Sequence, residues 1–212
     1  MSRSAIRNRI FPLKCFLAIL VVGPLLLVLT GCWVYSVEPL YEANASHPDP
    51  NLTFDQRLLG SWTQTGEGCT RILTMSGDRK SYEMVMAPAA DCKSEDKTTH
   101  YEGHLLKLGT SLVIDVTPES DDVCDLCLPL HSFLLVMLEN DSLTFVPMDH
   151  DWLAQAMKDK KVDLADLARH GPYDPVVLTS SSKQLREFVS KYADDKSAFN
   201  SEADHGLTFK RK

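Results

Sequence analysis

The sequence carries no glycine-rich phosphate loop, no H-E-x-x-H helix and no Ser, His and Asp in a triad order. Nucleotide hydrolysis, zinc proteolysis and triad chemistry therefore have no motif to rest on. There is no internal repeat of fixed period and no low-complexity tract, which sets aside repeat architectures and biased linkers. The longest apolar run, Cys15 to Thr30, is broken by Gly23-Pro24 and falls short of the roughly 20 residues that a spanning helix needs. Positive charge is scarce, with 22 Lys+Arg against 29 Asp+Glu and a formal net charge of -7.

The basic residues that exist are concentrated at the start. "MSRSAIRNRIFPLK" holds Arg3, Arg7, Arg9 and Lys14 and no acid. A basic stretch followed by a short apolar run reads as a secretory signal, so residues 1–31 are set apart from the fold. The next residues, "LTGC" at Leu29 to Cys32, resemble the lipobox of bacterial lipoproteins. That resemblance implies cleavage after Gly31 and acylation of Cys32, which would anchor the chain in a membrane through several acyl chains on one residue; the alternative is an uncleaved signal anchor in which the cysteine falls by chance. Trp33 stands next, where an Asp in lipoproteins of enteric type favours the inner membrane, so the resemblance points to the outer membrane, facing the periplasm. The chain from Cys32 onward keeps 18 basic against 29 acidic residues, a formal charge of -11. Such a surface repels phosphate backbones, which argues against nucleic acid as a partner.

Residues 32–51 include "VEPLYEANASHPDPN", with three prolines and few apolar side chains, which predicts an extended, mobile tether. Residues 52–195 read as one domain. From Gly60 to Met148 short strands alternate with turns: "RILTM" and "SYEMVMA" flank Ser76-Gly77-Asp78, "HYEGHLLKL" and "SLVIDV" meet at Gly109-Thr110, and "HSFLLVML" and "SLTFVPM" meet at Asn140-Asp141. Strands at this spacing predict an antiparallel meander. "FLLVML" is apolar on both faces and should be a central strand covered on each side. After Met148 the period turns helical, in "DWLAQAMKDK", in "KVDLADLARHG" (Leu164, Leu167, Ala168) and above all in "SSKQLREFVSKYADD". There Ser181 to Gln184 makes a capping box before Leu185, Phe188, Val189 and Tyr192 at i, i+3, i+4 and i+7. "PVVLTSS" reads as a short strand, and residues 196–212 as a polar tail that frays.

The segments "VEPLY", "LTFDQRLLGSW", "YEGHLLKLG", "HSFL", "DHDWL" and "LTSSSKQLREFVSKYADD" together resemble a broad group of bacterial lipoproteins that brings no known activity with it. "LLGSW" also resembles the G-x-W element on the first strand of lipocalin-like barrels, here Gly60 and Trp62. The expectation is a mainly β fold with C-terminal helices, its meander closing into a lipocalin-like barrel.

With Cys15 in the leader and Cys32 acylated, Cys69, Cys92, Cys124 and Cys127 remain. An even count in an oxidising compartment reads as two disulfides. The C-x-x-C of "DDVCDLCLP" offers two alternatives. A redox centre wants a low-pKa thiol, whereas Asp121, Asp122 and Asp125 surround this pair. A metal site could add His100 and His104, though in an order that no familiar finger uses. A hairpin centred near Gly77 brings Cys69 and Cys92 to one end, which predicts the pairings Cys69–Cys92 and Cys124–Cys127.

Other candidates read as structural first. His131 and His150 flank a hairpin and could meet, Asp149 and Asp151 could act as an acid pair but are better placed to cap a helix, and no metal or cofactor is expected. Trp62, Met84, Met86 and Trp152 read as core, or as the lining of a cavity. The expected function is that of a non-catalytic module binding a small apolar ligand or an envelope protein. The alternatives are a structural lipoprotein using its outer face, or an envelope hydrolase or thiol oxidoreductase.

Overall fold

Two positions that need a positive φ mark where the chain reverses. Gly109 (φ 63°) and Asn140 (φ 49°) each open a two-residue turn between antiparallel strands, a conformation that glycine and asparagine adopt at least cost. The computed structural model describes residues 34–42, 48–66, 69–92, 97–119, 129–167, 175–199 and 206–212, all within the unit Cys32–Lys212. Residues 1–33, with Cys32, and residues 120–128, with Cys124 and Cys127, lie outside the described residues.

The strands are β1 (Val34–Ser36), β2 (Gly60–Gly66), β3 (Cys69–Gly77), β4 (Tyr82–Pro88), β5 (Thr99–Leu108), β6 (Ser111–Glu119), β7 (Ser132–Glu139), β8 (Ser142–Pro147), β9 (Val176–Leu178) and β10 (Leu207–Arg211). The helices are α1 (His150–Lys158) and α2 (Ser182–Tyr192). Eight strands close an antiparallel barrel in the order β10-β2-β3-β4-β5-β6-β7-β8. The meander expected from the turn spacing is therefore present, and it closes.

The closing strand comes from the segment read as a fraying tail. Leu207 pairs with Phe145, Phe209 with Leu143, and Arg211 with Trp62. The correction has a simple cause: in "LTFKR" Leu207 and Phe209 alternate with polar residues, and the alternation puts both in the barrel. Arg211 completes the seam. Its guanidinium lies 4.1 Å from the Trp62 ring centroid, a cation–π contact, and donates to the carbonyls of Leu59 and Arg57. Trp62 in turn donates its indole N–H to the Leu58 carbonyl at 3.0 Å.

Alternation along each strand creates two cores. Inward residues such as Trp62, Leu73, Tyr82, Met84, Ile114 and Phe209 form one cluster inside the barrel. Leu106, Val113, Phe133 and Val146 face outward on β5 to β8 and form a second cluster with residues of α1, α2, β1 and β9. β7 serves both, since Phe133 belongs to the outer cluster while Leu134 and Val136 belong to the inner one. That is the two-sided cover its sequence called for.

α2 has the expected capping box at Ser181 and Gln184, and buries Leu185, Phe188 and Val189. The second expected helix, in "KVDLADLARHG", is not formed over its described part. Lys160 takes φ 58° after α1, and residues 165–167 run extended against β9, with Asp166 bridged to Leu178 and Leu167 N–H donating to Val177 O. Sheet hydrogen bonding has displaced a helix whose apolar spacing was only local. β9 itself pairs with β1 in a two-stranded parallel sheet, so β1 is part of the fold. The expected tether is corrected with it: Val34, Leu40 and Asp49 are buried.

Candidate functional site

The strap that replaces the tether lies over a buried polar cluster. On β6, Ile114 and Val116 point inward, so Asp115 points outward, into the outer core. It is 1% exposed. A carboxylate held that deep needs partners for both oxygens. Oδ2 accepts the Leu40 backbone N–H at 2.6 Å, and Oδ1 lies 2.7 Å from His131 Nδ1. Thr117 Oγ1 lies 2.9 Å from the same nitrogen. His131 is fastened again through its backbone, which exchanges two hydrogen bonds of 2.9 Å with Ser36.

On the neighbouring strand His104 pairs opposite Asp115. The Tyr41 ring stacks on His104 at 4.2 Å between centroids and meets His131 edge-on at 6.5 Å. Burial, then the carboxylates of Asp115 and Glu102, push the Tyr41 hydroxyl up to about 12. Burial also lowers the His104 pKa, against the opposing pull of Glu102 and Asp115. His104 is thus held toward its neutral form, which suits a ring stacked on a tyrosine.

A second charged group grips the strap from the other side. Arg186 of α2 donates Nη1 to the Leu40 carbonyl at 2.8 Å and to Asp49 Oδ2 at 3.2 Å, and Nη2 to Glu42 Oε1 at 2.8 Å. The Leu40 residue is therefore held by Asp115 at its N–H and by Arg186 at its C=O. Burial opposes ionisation of Asp49, but hydrogen bonds from the Asn51 and Glu42 backbones and the Asn51 side chain, with Arg186, lower its pKa overall. Beside Arg186 an open cleft of about 530 Å³ runs along α2, lined by Asn51, Lys183, Lys191 and others.

The chemistry this cluster supports is holding. An Asp–His pair becomes a hydrolytic dyad when the imidazole faces a nucleophile. Here the Thr117 hydroxyl lies 2.9 Å from Nδ1, the same nitrogen that faces Asp115, and the Ser36 hydroxyl donates to the Glu38 carbonyl at 2.7 Å. His131 and Asp115 instead bind the chain that covers them.

The residues singled out from sequence are distributed as follows. Cys69 and Cys92 form a disulfide. Trp62 and Met84 are buried in the barrel and Met86 packs against the same cluster, whereas Trp152 belongs to the outer core beside Phe188 and Tyr192. The four do not share one cavity, because α1 packs outside the barrel wall. His131 and His150 each sit beside a different carboxylate, Asp115 and Asp151. Asp149 caps α1, its Oδ1 accepting the Trp152 N–H at 2.7 Å. His100 and His104 both lie on β5, and among the described residues no group of three or more His, Cys, Asp or Glu is placed to hold a metal ion.

Asp115, Tyr41, Leu40 and Arg186 were not anticipated. One signal was available: "LVIDV" is apolar on both faces except for Asp115, and a lone carboxylate in a doubly covered strand must have a buried partner. Comparison with known proteins returned no matching family model, no matching curated protein and no matching solved structure.

Proposed function

We propose that this protein is a lipid-anchored, non-catalytic module of the bacterial cell envelope that binds a partner protein through its outer surface. The observation that carries the reading is the packing of the barrel interior. An eight-stranded barrel is just wide enough to be filled by side chains or to hold one small ligand. Here large residues meet at its middle: a Cβ added at Gly103 would come within 2.9 Å of both Ile114 Cδ1 and Met84 Sδ. At this point the ends of two inner side chains occupy the space beside the wall and support it from within. Binding is then left to the outer surface, where the cleft along α2 offers relief and charge. The lipid anchor on Cys32 rests on the lipobox resemblance.

The test uses the full chain processed in a bacterial envelope. A fluorescent fatty-acid probe should show no saturable binding to the purified protein, and crosslinking in cells should trap an envelope protein on the outer surface. Stoichiometric probe binding, abolished by Met84→Trp, would return the function to the barrel interior.

A further inference from the structure

The strap ends close to the residue proposed to carry the lipid. Val34 is buried and paired, and one residue, Trp33, separates it from Cys32. Two residue steps span at most about 7 Å, whereas a free segment of 20 residues would reach on the order of 25 Å on average and far more when stretched. A body fastened this close to its anchor cannot turn freely above a bilayer.

The surface beside that point has a matching character. In β1 and β9 burial alternates, with Val34, Ser36, Val176 and Leu178 buried on one face and Tyr35 and Val177 half-buried on the other. Residues 165–167 run antiparallel along the other edge of β9 through a single bridge, and Leu167 N–H bonds to Val177 O. Register then places Tyr35, Val177 and Leu167 side by side on that second face. Leu167 is 52% exposed, the most exposed large apolar residue among those described. The chain places an apolar cross-strand row next to the point where the anchor would enter, on a protein of negative net charge. From the length of chain to Cys32 and this row, we infer that this second face of the β1–β9 sheet is a lipid-facing surface that rests on the membrane interface. The inference rests on the lipid-anchored reading above, and the occupant is the bilayer rather than a second protein.

The experiment places the photocrosslinking residue p-benzoylphenylalanine at position 167, and in a separate protein at Thr74 on the bare wall of the barrel. Each full-length protein is reconstituted in vesicles of phosphatidylethanolamine and phosphatidylglycerol at 3:1. Position 167 should yield a phospholipid adduct at least about fivefold above Thr74, and a spacer of twenty Gly and Ser residues inserted between Trp33 and Val34 should lower it several-fold. Mass spectrometry of the N-terminal peptide is read on the same samples. An acylated Cys32 with no adduct at 167, or with equal adducts at 167 and Thr74, overturns the lipid-facing surface and leaves the anchor standing. A Cys32 without acyl chains overturns the anchored reading, and this inference with it.

Discussion

The wall of the barrel has two halves that are built from the same hairpins and stabilised differently. On β5 to β8 the outward residues are Leu106, Val113, Phe133 and Val146, covered by the strap and both helices. On β2, β3, β4 and β10 the outward positions include Thr63, Thr74, Ser76, Glu83 and Thr208, which are exposed or half-buried. The covered half gains stability from two apolar layers, at roughly 25 cal/mol per Å² of apolar surface removed from water. The bare half has one layer, and it has the Cys69–Cys92 disulfide joining the start of β3 to the turn that follows β4. Where packing is single, a covalent link and the Arg211–Trp62 seam do the holding. The comparison teaches that a strand's outward residues report what covers it, and that uncovered strands need another restraint.

The largest effect should come from opening the seam. Ending the chain at Gly206 removes Phe209 and Arg211 and leaves β2 and β8 without a shared neighbour, and the shortened protein should lose its cooperative thermal transition. A transition within a few degrees of the full chain would mean that the bare half does not need closure. Next, Phe188→Ala should cost about 3–5 kcal/mol, because the ring is buried in the outer core, while Thr74→Ala on the bare wall should stay within about 0.5 kcal/mol. Equal losses by urea titration would erase the distinction between the halves. Replacing Cys69 and Cys92 by Ser should cost about 3 kcal/mol through the freed unfolded chain, and hydrogen exchange should rise first on β3 and β4. Exchange rising first on β6 and β7 would contradict a local staple.

The smallest effect concerns pH. His104 has a lowered pKa in the folded protein, so the unfolded chain binds its proton more readily. Its contribution is fully present above the unfolded value of about 6.5 and is lost as pH falls toward the folded value. The urea midpoint should therefore drop between pH 7.5 and 5.5. His104→Phe keeps a ring under Tyr41 and should flatten that slope. An unchanged slope would remove His104 from the account.

Much of this was legible in the chain, for identifiable reasons. The two-sided apolarity of "FLLVML" and the capping box of α2 are strong periodic signals, and both elements stand where expected. So does the disulfide, since a hairpin at Gly77 leaves Cys69 and Cys92 at one end. The losses came where a few residues decide. β10 rests on Leu207 and Phe209 alone, in a segment whose average is polar. The strap is pinned by Val34 and Leu40 among prolines, and its remaining support is hydrogen bonds to Asp115 and Arg186 from far along the chain. Such bonds leave no period in sequence, and the candidate site was the least legible part for that reason. "KVDLADLARHG" failed in the opposite sense, with helical spacing overruled by edge hydrogen bonds to β9.

The parallel pairing of β1 with β9 has a mechanical consequence. A pull on the N-terminus draws β1 along its own axis, so its rungs with β9 are strained together in shear, and none can open before the rest. Behind them the Leu40 N–H and C=O are tied to Asp115 in the barrel wall and Arg186 on α2, which passes the load to two separate elements. A chain tugged at that end should yield at high force and in one step.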